Sequence, residues 1–283
     1  MDYFYSENYA GFIYTIDMFR ISTRVNRRDR KDVLRFLHGQ GLTFWNNKQA
    51  GKYDENFQAD KLWLGIMPEK VHDFSHTLDE CFLLTIEFNP NKMTNKDIFI
   101  YNYFINKYQF KIKRFDLAID IPHNINNLVF FDLRKKCYSV FYKNFDDKTY
   151  YIGKGDGHTK IYNKKIESEL NFELTRFETT KECDIPIDFT DFYIDFNFPI
   201  LAFQPYYSLL SSDDAEDNDT YKAVLYAVNN GYPFLNLSRR YKELIKKDYV
   251  GCAQELNNDI ANEVLHNFVA RVVSGISNKP DKL

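Results

Sequence analysis

The stretch 110–122, FKIKRFDLAIDIP, restricts this chain more than any other. Side chains alternate across a β-strand, so Phe115, Leu117 and Ile119 share one face while Arg114, Asp116, Ala118 and Asp120 share the other. The apolar face requires a core. The other face sets two carboxylates roughly 6–7 Å apart across a small alanine. Like charges at that spacing repel unless a cation neutralises them, and a hard oxygen-binding ion, Mg²⁺ or Mn²⁺, suits such a pair. The plainer reading is a solvated sheet face carrying an Arg–Asp pair.

Further strands are predicted over 11–23, 61–67, 81–90 and 170–180, all rich in aromatic and β-branched residues. A hairpin is predicted over 148–165, turning at Gly155, Asp156 and Gly157. Helices are predicted over 26–39, where Val33, Leu34 and Leu37 recur at helical spacing before Gly39, and over 93–108, with Thr94 or Asn95 as N-cap. Residues 127–142 read equally as helix or strand. Beyond the acidic stretch 211–219, TYKAVLYAV, SRRYKELIKK and ANEVLHNFVARVV read as helical. The expected fold is α+β: an antiparallel β-sheet core with interspersed helices and a helical C-terminal region. The expected division is a catalytic region over 1–210 and a helical region over 211–283.

With 26 Phe and 21 Tyr in 283 residues the chain is not disordered as a whole. No apolar run reaches the ~18–20 residues of a membrane helix, and the N-terminus lacks the pattern of a signal peptide. Cys81, Cys137, Cys183 and Cys252 show no C-x-x-C spacing, so a reducing cytoplasm is the expected compartment. The net charge of −3 argues against a nucleic-acid partner only on average. Residues 20–36 hold seven Lys/Arg against two Asp, and basic clusters recur at 111–114, 133–136 and 239–247. Each reads either as a phosphate-facing surface or as a solvated helix face.

Three more constellations carry possible chemistry. Glu87 sits within an otherwise apolar strand, where it is an acidic ligand or an edge-strand charge. Arg176 and Glu178 share one face of LTRFETT. In HTKIYNKK, Lys160, Tyr162 and Lys164 share a face, with Lys165 adjacent; flanking cations favour a phenolate and attract a phosphate, although a half-buried Tyr among lysines is the ordinary alternative. His72 and His76 lack the Glu of a zinc-protease motif, and GKGDG is better explained by a turn than by a phosphate loop.

Taken in order, IEFNPNKMT, RFDLAID, YYIG…KIYNKKIE and LTRFE resemble the replication initiation factor (Rep_trans) family, whose members start rolling-circle plasmid replication and include some conjugative relaxases. YTIDMFRIST with the basic helix after it, and RYKELIKK, also have counterparts, so residues ~12–250 are covered. The resemblance implies a metal-dependent tyrosine DNA endonuclease and strand transferase. Its nucleophile falls on Tyr162, with Lys160 and Lys164 as charged neighbours, and its acidic metal positions fall on Glu87, Asp116, Asp120 and Glu178. Lys160 stands where the family usually has Arg, which keeps charge but loses the bidentate fork, and the GKGDGH loop is short.

The chemistry so implied is in-line attack of the Tyr162 hydroxyl on a phosphodiester, leaving a 3′-OH and a 5′-phosphotyrosine, with one Mg²⁺ or Mn²⁺ stabilising the transition state. Expected partners are plasmid origin DNA, presented as a supercoiled, cruciform or single-stranded site, a second copy of the chain and a host helicase, in a bacterial cytoplasm. Expected DNA contacts are Arg24, Arg27, Arg28, Arg30, Lys31, Arg176, Arg239 and Arg240. Two other functions remain open: a conjugative relaxase, and a non-catalytic nucleic-acid binder that uses Phe88 and Phe177 as stacking platforms.

Overall fold

A computed structural model describes residues 5–44, 53–69, 81–131, 138–142, 147–153, 158–190, 192–196, 198, 200–203, 220–224, 226–227, 236–250 and 256–276. Strand β1 (Ser6–Tyr9) turns through Ala10 and Gly11, both at positive φ, into β2 (Phe12–Asn26), and helix α1 (Arg27–Gly39) follows directly. Next come β3 (Glu55–Gln58), β4 (Leu62–Glu69), β5 (Cys81–Phe88), α2 (Asn95–Ile105) and β6 (Lys111–Ile121). Strands β7 (Leu128–Phe131), β8 (Tyr138–Tyr142), β9 (Lys148–Ile152) and β10 (Thr159–Asn163) lead to the single helical turn α3 (Lys164–Glu167). After β11 (Thr175–Ile187) and β12 (Ile200–Phe203) come α4 (Arg239–Val250) and α5 (Asn258–Val273).

Among the described residues ten strands form one antiparallel sheet in the order β3-β4-β5-β2-β6-β11-β10-β9-β8, with β1 beside β2; β7 and β12 pair separately. The fold is thus α+β with a large antiparallel sheet, as the alternating segments require. Residues 127–142, ambiguous in sequence, contribute the strands β7 and β8. β3 was not anticipated; its four residues are too few for a periodicity to show. The Gly155–Gly157 turn, the 133–136 and 211–219 charge clusters, His72, His76, Cys137 and Cys252 lie outside the described residues. Cys81 and Cys183 are free thiols.

The helix starts follow local chemistry. The Asn26 side chain caps α1 by accepting from the Asp29 N–H at 2.9 Å. Thr94 and Asp97 form a reciprocal capping box on α2. α1 runs through Gly39, and the left-handed turn comes two residues later, at Gly41 with φ of 73°.

One face of the sheet is covered by helices; the other is polar and also largely buried, with Thr15, Ala118, Asp120 and Arg176 at most 2 % exposed and Asp17, Lys160 and Glu178 partly exposed. Phe19 of β2 meets Phe268 of α5 at 5.0 Å between ring centroids, and Phe88 of β5 meets Tyr101 of α2 at 5.0 Å. Phe36 of α1 meets Phe104 of α2 at 5.5 Å. These three helices therefore share the face that carries Phe115, Leu117 and Ile119, all fully buried. Each such side chain contributes roughly 1.5–3 kcal/mol by leaving water. A boundary at 210 does not separate two cores: Val264, Leu265, Phe268, Val269 and Val272 of α5 lie in the same hydrophobic cluster as β2, β5 and β6. The Tyr101 hydroxyl ties the helix down by donating to the Val272 carbonyl at 3.0 Å. Among the described residues no helix is long and apolar enough to cross a membrane.

Candidate active site

The polar face is organised by register. Asp120 of β6 lies opposite Arg176 of β11, which lies opposite Tyr162 of β10. One step along, Thr15 of β2, Ala118, Glu178 and Lys160 form the neighbouring row. A further step brings Met18, Asp116 and Thr180 into line. Between these two rows the register of β2 slips: Ile16 pairs with Leu117 and Met18 with Asp116, leaving Asp17 as the extra residue of a β-bulge. A bulge inverts the alternation that follows it. Thr15 and Asp17 before the slip, and Met18 and Arg20 after it, consequently share the polar face.

Tyr162 is 6 % exposed, and its hydroxyl donates to Glu178 Oε2 at 3.2 Å. The Lys160 Nζ lies 4.0 Å from the centre of its ring and the Lys164 Nζ 5.7 Å away. Burial pushes the Tyr162 phenol well above its ordinary value, and the facing Glu178 carboxylate pushes it further. Glu178 is itself raised above 4.5, first by burial and then by the charges of Asp17 and Asp116, against the pull of Lys160 and Arg176. Burial, more than any one neighbouring charge, sets the Glu178 carboxyl. A positive charge arriving there would lower both values, favouring the carboxylate and the phenolate together.

Arg176, expected at the DNA surface, is 2 % exposed. Its Nε and Nη2 hold the two oxygens of Asp120 at 2.6 and 2.8 Å, and its Nη1 reaches Asp17 Oδ1 at 3.3 Å. Asp120, expected as a metal ligand, is thus a buried partner of Arg176 with both oxygens engaged. Asp116 takes the plainer course foreseen for this strand, pairing with Arg114 at 3.2 Å, although its side chain is only 9 % exposed.

Glu87 reaches this group only at its edge, through Arg114, which pairs with Asp116 and also feels the Glu87 charge. It lies opposite Arg20, pairs with it, and is about a quarter exposed. Arg20 lies opposite Arg114, and Arg114 is six positions from Asp120 along β6, roughly 20 Å at strand rise. Of the basic residues expected on DNA, Arg24, Arg27, Arg28 and Lys31 are exposed. Arg30 is half-buried, pairing with Glu55 and lying over the Phe82 ring at 4.8 Å. α1 packs on the covered face, so its basic residues stand across the sheet from Tyr162. Arg239 and Arg240 are exposed on α4, where Arg239 pairs with Glu243 at 2.8 Å. Phe88 and Phe177, the suggested stacking platforms, are 1 % and 0 % exposed in the core.

Sequence reading passed over Asp17. The signal was present: YTIDMFRIST sets one acid in an aromatic and β-branched run, the pattern that drew attention to Asp116. What hid it was the bulge, since strict alternation does not place residues 17 and 18 on one face.

Among the described residues no three acidic, histidine or cysteine side chains form a closed ligand set for a metal ion. Mg²⁺, however, is commonly held by one or two carboxylates, with water and substrate phosphate completing its shell. Asp17 takes both of its hydrogen bonds on Oδ1, and Glu178 takes the Tyr162 hydroxyl on Oε2. Each keeps its other oxygen without a hydrogen bond among the described residues. Asp116 has both oxygens on Arg114, so Asp17 Oδ2 and Glu178 Oε1 are the carboxylate oxygens here that a divalent ion of this kind would use.

No protein-family profile matches the chain, and no curated protein is similar to it. Among solved structures it is similar to "Structure of Rolling Circle Replication Initiator Protein from Geobacillus stearothermophilus", at 12 % identity over 85 % of this chain and 97 % of that one. The TM-score is 0.38, a superposition too loose to establish a shared fold or a shared chemistry.

Proposed function

We propose that this chain nicks and rejoins DNA through Tyr162, as the initiator of rolling-circle replication of a bacterial plasmid. The observation that carries the reading is the Tyr162 hydroxyl held on Glu178 at 3.2 Å, in a largely buried polar group to which the partly exposed Asp17, Lys160 and Glu178 give access. The order of sequence motifs supports it. So does the convergence of RFDLAID, KIYNKK and LTRFE on neighbouring strands.

In the proposed step the Tyr162 oxygen attacks a phosphodiester phosphorus in line while Glu178 takes the phenolic proton. The bond from phosphorus to the 3′ oxygen breaks; that oxygen takes a proton from solvent, and the 5′ phosphate remains on Tyr162. Attack by a later 3′-OH reverses the step without ATP. A divalent ion, Mg²⁺ or Mn²⁺, held by Asp17 and Glu178 with Asp116 alongside, would stabilise the charge that develops on the phosphate oxygens. Lys160 and Lys164 add positive charge beside the ring. Arg176 and Asp120 fix the strands on which Tyr162 and Glu178 stand.

The partners under this reading are origin DNA with an accessible strand, a second copy of the chain and a host helicase. A conjugative relaxase performs the same step, and transfer genes beside this one would identify that setting. The test is nicking of the supercoiled element that encodes the protein, in Mn²⁺, by wild type and Tyr162→Phe. Nicking by wild type alone supports the reading. Equal nicking by both removes Tyr162 from it, and no nicking by either favours a non-catalytic binder.

A further inference from the structure

We propose that the turn formed by Asn89, Pro90 and Asn91 is a positioning device that holds the β2 bulge and aims one oxygen of Asp17 into the acidic group; this rests on the reading of that group as a cation site. The bulge has a cost. Its extra residue drops out of the ladder, so backbone groups there need other partners and the Asp17 side chain needs something to fix its direction. Both needs are met from the end of β5. Asn91 Nδ2 donates to the Ile16 carbonyl at 3.1 Å, at the point where the register slips. Asn89 Nδ2 donates to Asp17 Oδ1 at 3.1 Å.

The turn is built to present these two amides. The Lys92 N–H closes it on the Asn89 carbonyl at 3.0 Å, Pro90 occupies the position where a fixed φ suits a turn, and Asn89 Oδ1 accepts from the Asn91 N–H at 3.0 Å. Because Oδ1 of Asn89 is spent on its own turn, only its NH₂ remains to face Asp17. Asn89 is 9 % exposed, so the donor is set in the protein and not in solvent. On the other side Arg176 Nη1 holds the same Asp17 oxygen at 3.3 Å. Two donors on Oδ1 leave Oδ2 as the oxygen turned to a ligand. Partners of this kind orient carboxylates around a metal, and their removal typically weakens metal affinity about 10–100-fold.

The test is Mn²⁺ binding to the full chain without DNA, followed by the electron paramagnetic resonance of free Mn²⁺, with thermal midpoints recorded in parallel. Wild type is expected to bind. Asn89→Ala and Asn91→Ala are each expected to bind about 10-fold or more weakly. A purely structural turn would lower the thermal midpoint and leave Mn²⁺ affinity unchanged, and that result overturns the proposal. If Asn89→Ala does not fold, Asn91→Ala decides, since it keeps both the Lys92 N–H that closes the turn and the Asn91 N–H that holds Asn89 Oδ1. Failure of wild type itself to bind Mn²⁺ overturns the cation-site reading and the proposal with it. Normal binding by wild type and both variants overturns the positioning role alone.

Discussion

Two acid–base groups share the polar face of the sheet, and they differ in how their charges are paired. At one end Glu87 and Arg20 form a pair about a quarter exposed, each answering the other. At the other end Asp17, Asp120 and Glu178 crowd around Arg176, with Asp116 turned to Arg114, and Glu178 is left with like charges facing it. The residue types are the same. Cross-strand register and burial decide which carboxylates are answered one to one and which share a cation. The shared group stands beside the Tyr162 hydroxyl.

The widest separation between the two ends is expected in catalysis. Tyr162→Phe should lose nicking by a factor on the order of 10⁴ or more, the scale of removing a nucleophile. Glu178→Gln should lower the rate about 10²–10³-fold, since it removes the proton acceptor, whereas Glu87→Gln should nick within a few-fold of wild type. Similar losses at Glu178 and Glu87 would dissolve the distinction between the two ends.

Stability should separate them next. Arg176→Leu leaves Asp120 charged and buried, a loss of about 3–5 kcal/mol in chemical denaturation. Arg20→Leu breaks a pair about a quarter exposed, which solvent screens, and should cost about 1 kcal/mol.

The smallest effect is in pH dependence. The Glu178 carboxyl is raised above 4.5, so the folded chain holds that proton more tightly than the unfolded one. Its favourable contribution is present below pH 4.5 and is lost as pH rises through the raised value. Glu178→Gln removes the penalty of the ionised group. Without divalent ions the variant should therefore show the higher urea midpoint at about pH 8, with the difference closing towards acid. Saturating Mn²⁺ should raise the wild-type midpoint and narrow the gap.

Much of the sheet was legible because period-two alternation is a local property: RFDLAID, LLTIEF and LTRFE each announce a strand and its faces. The α2 cap at Thr94 was legible for the same reason. Register was not. Nothing local says that Glu87 stands opposite Arg20, or that Arg176 stands between Asp120 and Tyr162. For that reason Arg176 read as a surface cation and Asp120 as a ligand, when each satisfies the other. The bulge at Asp17 is a second non-local fact, visible only once β2 is laid against β6 and the Asn89–Asn91 turn closes over it. The place of α5 in the core was hidden likewise, since an amphipathic helix does not name the sheet it covers.

The central claim is that one named phenol oxygen becomes bonded to DNA. Incubation with the supercoiled DNA element that encodes the protein, in Mn²⁺, followed by nuclease and protease digestion and mass spectrometry, reads this directly. The account predicts a nucleotide attached through its 5′ phosphate to the peptide containing Tyr162, and no such adduct in Tyr162→Phe. An adduct on another tyrosine, or nicked DNA with no adduct on any, would contradict it.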